Sequence, residues 1–385
     1  MRLLACFLCL MLLTGCAAGS SDDPSTVPPE TVSPPMETSV PVTAPLPEGT
    51  EVPDPIRLML NQMSLDERVG QLFLARCDAN TALNDIEQYH LGGFVLFGRD
   101  FENQTPDSFR ETLASYQAAT KLPLLIAVDE EGGTVTRVSR YQAFRSTPFP
   151  SPRDSYSRGG LEQVLAVEEE KCQLLQSLGI QVNLGPVCDI SDTPEAFLYS
   201  RSLGQDARTT AEYIAATVQL MNTYRIGSAL KHFPGYGNNA DTHTGIAVDS
   251  RPLGEFLEKD LIPFTAGMEA GCGAVMVSHT IVEALDNTLP ASLSPAVHRY
   301  LREQMGFTGV ILTDDLVMQA ITDQYGAGEA AVQAVLAGND LLCSTDYATQ
   351  YQAVLDAVLD GRIDIDTLNN AVRNVLQWKI DLGLI

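Results

Sequence analysis

From about residue 71 onward, short apolar runs recur along the chain, separated by longer amphipathic segments. The runs are QLFLAR (71–76), GFVLFG (93–98), PLLIAV (123–128), IQVNLG (180–185), GSALK (227–231), GAVMVS (273–278), GVILT (309–313) and NDLLC (339–343). Between them lie stretches with helical periodicity, such as 161–178, 207–224 and 255–270. Continuous apolar strands alternating with helices predict a parallel sheet covered on both faces. Eight candidate strands predict an α/β fold of the (β/α)8 TIM-barrel type. A doubly wound open sheet is the alternative. It is disfavoured because no GxGxxG or GxxxxGK[ST] pattern follows any strand.

Polar residues cluster where these strands end. PLLIAV runs into Asp129-Glu130-Glu131-Gly132-Gly133, GSAL into Lys231-His232, GAVMV into Ser278-His279 and GVIL into Thr313-Asp314-Asp315. Barrel enzymes assemble their sites from such ends. One strand-end acid alone could simply cap the next helix. Four polar clusters in one register predict an assembled cleft. The segment KHFPGYGNNADTHTGI (231–246) adds a further pair, Asp241 and His243, two residues apart. In an extended segment both side chains share one face, so the carboxylate can orient the imidazole. Gly235, Gly237 and Gly245 predict a loop that moves and places His243 when ligand is bound.

Composition changes the picture mainly at the N-terminus. Arg2 precedes a mostly apolar stretch too short to span a bilayer, which predicts a secretory signal over residues 1–15. Leu13-Thr14-Gly15-Cys16 resembles a bacterial lipobox, in which Cys16 is acylated and becomes the first mature residue. The alternative is an ordinary signal with a chance cysteine. Residues 16–52 are rich in Pro, Ser, Thr and acids and cannot bury a core, so they predict a disordered tether. The remainder, 53–385, shows no second break of this kind and predicts one catalytic domain, expected to be a monomer. The expected location is the extracytoplasmic face of a cell membrane, held by the lipid anchor. A formal net charge of −25 argues against nucleic-acid partners and against an electrostatic grip on anionic lipid. Cys77, Cys172, Cys188, Cys272 and Cys343 are odd in number, without CxxC spacing, and predict buried free thiols.

LLIAVDEEGGTVTRV, SRSLGQDA, ALKHFPGYGNNADTHTG and GVILTDDLVMQAI together resemble glycoside hydrolase family 3, most of all its bacterial β-N-acetylglucosaminidases. The resemblance covers nearly all of 53–385. It implies a retaining exo-β-N-acetylglucosaminidase that releases terminal N-acetylglucosamine from peptidoglycan fragments or related glycans through a glycosyl-aspartate intermediate, with no cofactor and no metal. It implies Asp314 as nucleophile, His243 as acid/base and Asp241 as its partner. Asp129, Arg137, Arg201, Lys231 and His232 match sugar-binding positions. The family pattern usually reads KHFPGHGD, so Tyr236 and Asn238 stand where a histidine and an acid are usual. Many members take their acid from a second domain. None follows in this sequence, so the acid is expected from the Asp241–His243 loop.

Read directly, the residues allow this chemistry and some rivals. Glycoside hydrolysis usually needs two acidic groups flanking the anomeric carbon. Asp314 ends a strand and would be held rigidly. Asp315 would point the other way and cap the helix expected from Leu316. A substrate-assisted scheme would instead use both acids, with the acetamido oxygen attacking. An imidazole titrates near neutrality and can both give and take a proton. Lys231 could be a Schiff-base nucleophile. A metal site is disfavoured because neither HxH nor HExxH spacing occurs. His279 is expected either inside the cleft or at its rim, and His90 and His298 as ordinary surface or core histidines. Rival functions are a phosphorylase, a β-glucosidase or xylosidase, and a non-catalytic sugar-binding lipoprotein.

Overall fold

Eight parallel strands, one from each predicted apolar run, form the central sheet of a computed structural model that describes residues 54–239 and 241–385. They are β1 (Phe73–Arg76), β2 (Gly93–Leu96), β3 (Leu125–Val128), β4 (Val182–Asn183), β5 (Gly227–Phe233), β6 (Ala274–Val277), β7 (Val310–Thr313) and β8 (Leu342–Ser344). Each strand pairs with its successor through β7, and β8 pairs with β1. A parallel bridge between Leu312 and Leu341 joins β7 to β8 and closes the ring. This is the predicted (β/α)8 barrel. The expected signal, Cys16 and the tether through residue 52 lie outside the described residues. Among the described residues no helix is long and apolar enough to cross a membrane.

The strand pattern follows from burial on both faces. Leu74, Val95, Ala127, Ala229, Met276 and Leu312 fill the barrel interior. Their alternates, such as Phe73, Phe94, Ile126 and Val128, pack outward under the helices. Trp378, from the helix Ile365–Asp381, closes the amino-terminal end of the barrel. A Cβ at Gly273 would stand 2.1 Å from the Trp378 Nε1, so only glycine lets the indole seat there.

The helices begin where the sequence offers caps. Ser151 accepts the Asp154 N–H (3.1 Å) and starts the helix Pro152–Leu178, which bends at Gly159 and Gly160. The predicted segment 161–178 is therefore the second limb of a longer helix. Asp206 caps Ala207–Thr223 in the same way. The segment 255–270 is wound in parts, with a π-turn over Phe256–Asp260 leading into Leu261–Glu269.

One irregularity prepares the site. The β5–β6 register runs Ala229–Ala274, Leu230–Val275 and then Phe233–Val277, so β5 carries one extra residue. Such a bulge re-aims side chains. It falls at Lys231 and His232, which end β5 at the barrel mouth.

Candidate active site

A cleft of about 380 Å³ opens at the carboxyl ends of the strands, within the range of small-ligand sites. Its floor is a charged network. The Lys231 ammonium bonds Asp129 Oδ1 (2.6 Å) and Glu131 Oε1 (2.7 Å). Arg201 grips the other side of Glu131 with Nε and Nη2, at 2.9 and 2.7 Å. Burial alone would raise the Glu131 carboxyl, yet the Arg201 and Lys231 charges hold it well below the usual carboxylate range. Burial would likewise lower Lys231, but Asp129 and Glu131 raise it above the ordinary lysine value. An ammonium so held is no Schiff-base nucleophile, which removes that alternative.

His232 lies beside this network. Its Nε2 is 3.3 Å from Arg201 Nη2, and its Nδ1 is 2.7 Å from Asp189 Oδ2. Asp189 is fully buried and also accepts the backbone N–H of His232 (2.9 Å) and, through Oδ1, that of Tyr236 (2.7 Å). A carboxylate with those three donors fixes both the ring and the start of the loop.

Asp314 stands at the end of β7, partly exposed to the cleft. Burial would raise its carboxyl, but the neighbouring His232 and His279, the Asp315 N–H (2.9 Å) and His243 bring it below the ordinary aspartate value. It is therefore ionised at neutral pH. Asp315 does different work. Its carboxylate accepts from the Val317 N–H, the Thr345 N–H (each 3.1 Å) and the Thr345 hydroxyl (2.5 Å), tying β7 to the end of β8. These bonds fit a structural role for Asp315, which also lines the cleft; it closes the turn over Val317, and the short helix begins only at Gln319. His279 is wholly buried beneath the cleft, its Nδ1 on Ser292 Oγ (2.7 Å) and its Nε2 on the Asp315 carbonyl (3.1 Å). Burial keeps its pKa below the usual histidine value.

Asp241 and His243 do pair, though not through an extended strand. Thr242–Thr244 forms a single 3-10 turn capped by Asp241. One oxygen, Asp241 Oδ1, meets both the His243 N–H (2.9 Å) and His243 Nδ1 (2.7 Å). A local Asx-type turn therefore brings the dyad together. The imidazole rests edge-on against Phe197, with centroids 5.9 Å apart, and lines the cleft with more than half its side chain exposed. The glycines differ from the mobile-loop expectation. Gly235 (φ +125°) and Gly237 (φ +55°) are required by tight backbone paths, where a Cβ would meet Asp260 at 2.5 Å and Arg251 at 2.9 Å. Gly245 alone faces open space.

The remaining predicted residues divide. Arg137 lines the cleft, its guanidinium 5.5 Å from the Phe97 ring centre. Arg76, at the end of β1, lies 4.4 Å from the same ring and was not singled out in the sequence. Among the described residues, the Nε of each arginine is shielded and lacks a partner. Glu130 is buried away from the cleft and accepts the N–H groups of Arg137 (2.8 Å) and Val138 (2.7 Å). It shapes the loop after β3. Asp189 and Phe197 escaped the sequence reading, and Glu131 entered it only as a member of a strand-end cluster, since nothing local distinguishes an acid bound to a partner tens of residues away. The five cysteines are free and buried, and Cys343 forms part of the cleft wall. His298 is buried, and His90 ends a helix in the left-handed conformation.

Comparison with known proteins places this geometry. Residues 64–378 match the Glycosyl hydrolase family 3 N terminal domain. The Beta-hexosaminidase LpqI of Mycobacterium tuberculosis is 31% identical over 354 residues, covering 89% of this chain and 88% of the relative. The Beta-hexosaminidase of Xanthomonas campestris pv. campestris is 34% identical over 296 residues, covering 75% and 87%. A solved glycoside hydrolase family 3 beta-N-acetylglucosaminidase from Paenibacillus sp. FPU-7 superposes with a TM-score of 0.79 at 31% identity, over 84% of this chain. This chain spans 63% of that protein's length.

Proposed function

The chain belongs to glycosyl hydrolase family 3, and from that premise we propose that it is a β-N-acetylhexosaminidase, hydrolysing terminal β-linked N-acetylglucosamine with retention of configuration. The observation that carries this reading is the cleft shared by ionised Asp314 and the Asp241-backed His243. In the first step the Asp314 carboxylate attacks the anomeric carbon while the His243 imidazolium gives its Nε2 proton to the departing oxygen. Asp241 accepts from Nδ1, which leaves Nε2 as the exchanging nitrogen. In the second step neutral His243 takes a proton from water. The water oxygen attacks the same carbon, and Asp314 leaves as carboxylate. Asp129, Lys231 and His232, held by their hydrogen bonds, offer oriented donors and acceptors to sugar hydroxyls, and the Arg137 guanidinium lines the same cleft. Arg76 extends this wall.

A turnover assay tests the reading. A 4-nitrophenyl N-acetyl-β-glucosaminide should be cleaved far faster than the plain β-glucoside or β-xyloside, and the product should be free N-acetylglucosamine even in phosphate buffer. Sugar phosphate as product would favour the phosphorylase. Absence of turnover on all three would favour the binding protein.

The same reading includes acylation of Cys16, an extracytoplasmic location and peptidoglycan fragments as substrate, supported by the lipobox-like LTGC run and the tether composition. Cys16→Ser should move the protein from the membrane fraction to the soluble one. Unchanged membrane retention would overturn the anchor.

A further inference from the structure

Tyr236 is buried in the loop wall at 2% exposure, and its hydroxyl meets one residue twice. The Thr242 N–H donates to the phenol oxygen (2.7 Å), and the phenol O–H donates to Thr242 Oγ1 (2.9 Å). Thr242 is itself buried at 1% and sits between the two members of the acid/base pair, Asp241 and His243. The tyrosine is anchored from below. Its backbone N–H is held by Asp189, the carboxylate that also fixes His232. Its ring packs against Phe197 and His232, at centroid distances of 5.9 and 5.7 Å. Phe197 in turn supports the His243 ring.

We propose that the Tyr236 hydroxyl is the positioning element of the acid/base turn, clasping Thr242 so that the Asp241–His243 pair is set at the cleft wall before substrate arrives. The proposal rests on the acid/base reading of His243 given above. Three features favour a clasp over a passive core tyrosine. Among the described residues, the bonds within the Asp241–His243 turn are local, Asp241 to His243 and the Asp241 carbonyl to Thr244. Among the described residues, its side-chain hydrogen bonds to a residue outside the turn are those with Tyr236, six residues away. The phenol both donates and accepts, which fixes the backbone of the turn as well as a side chain. Finally, the loop's other stay, Asn239 Nδ2 to the Tyr236 carbonyl (2.9 Å) and to Asp249 Oδ2 (2.7 Å), fastens the tyrosine end and not the dyad. Without the hydroxyl, the buried Thr242 N–H and Oγ1 lose their partner, a cost that opening of the turn to water would relieve.

The test is Tyr236→Phe, which removes one oxygen and keeps the ring packing. General acid catalysis typically contributes 10²–10⁴-fold, so a mis-set acid should slow kcat on an N-acetylglucosamine disaccharide by roughly 10- to 100-fold. Glycosyl-enzyme formation from the dinitrophenyl N-acetylglucosaminide, whose leaving group needs no proton, should be nearly unchanged. Azide should partly restore the second step on that substrate. Thr242→Val, which keeps the N–H but loses the accepting hydroxyl, should show a smaller loss of the same kind. It also decides the matter if the phenylalanine variant does not fold. Equal loss on both substrates would make Tyr236 a support of the fold and overturn the proposal. Wild-type behaviour of both variants would overturn it too. If His243→Ala itself leaves the leaving-group dependence intact, the acid/base reading fails instead. If His243→Ala steepens that dependence and Tyr236→Phe does not, only the clasp fails.

Discussion

The two ends of the barrel hold their buried lysines on opposite electrostatic terms. The larger cavity, about 510 Å³, lies at the amino-terminal end, among Trp378, Phe307, Ile226 and the strand-start glycines Gly227, Gly273 and Gly309. The smaller one, about 380 Å³, lies at the carboxyl end. At the carboxyl end, buried charges come in matched sets: Lys231 between Asp129 and Glu131, and Arg201 on Glu131. Near the other end, the fully buried Lys379 bonds, among the described residues, the neutral side chain of Gln71 (2.6 Å), and burial pushes its pKa down to about 7. Volume therefore does not mark the chemistry. Paired charges, held ready by strand ends and supported by a buried second layer, do.

That contrast can be broken or sharpened by substitution. The largest effect belongs to Asp314→Asn. It should cut kcat on the aryl N-acetylglucosaminide by at least about 10⁴-fold, the scale of losing a nucleophile. Its thermal unfolding should match the wild type. Next comes Glu131→Gln, which leaves Lys231 and Arg201 short of a buried counter-charge. Urea unfolding should show a loss of about 3 kcal/mol, because breaking one member of a buried network costs more than the network contributes. Activity should fall with it. At the opposite end, Gly273→Ala forces a methyl against Trp378 and should cost about 1–3 kcal/mol of stability, the range for overpacking. Unlike Glu131→Gln, it should leave kcat/KM unchanged.

The smallest effect is a pH slope. Burial pushes the folded Lys379 down to about 7, against 10.5 for an ordinary lysine. Between these pH values the unfolded chain binds more protons than the folded one, so stability rises with pH there. Below pH 7 both states are protonated and this contribution is flat. The slope amounts to about 1 kcal/mol between pH 8 and 9, read by urea unfolding at each pH. Lys379→Met should abolish it. A slope unchanged in that variant would show that other groups cause it.

The same contrast shows what was legible in the chain. All eight strands were, because continuous apolar runs flanked by helical periodicity leave few alternatives. The strand-end polar clusters also pointed to the end of the barrel where the cleft opens. What escaped was the second layer. Glu131 looks like part of an acidic turn before two glycines, and its meaning comes from Arg201, 70 residues away. Asp189 is silent until His232, 43 residues on, folds over it. The Asp241–His243 contact was expected, but from an extended segment. The chain uses a capped turn instead, because Asp241 satisfies the His243 N–H as well as the ring. The glycines of that loop were read for mobility, whereas two of them serve close packing against Asp260 and Arg251. Spacing along the chain cannot show such approaches.

The proposed reaction turns on attack by the Asp314 carboxylate on sugar at the carboxyl end of the barrel. The most direct measurement is mass spectrometry after incubation with an activated fluoro-sugar of the N-acetylglucosamine series, with peptide mapping of the label. The account predicts one glycosyl unit per chain, ester-linked to Asp314, in the wild type and none in Asp314→Asn. A label on Asp315 would contradict it. So would turnover of the substrate with no covalent species trapped, the outcome expected if the acetamido oxygen were the attacking group.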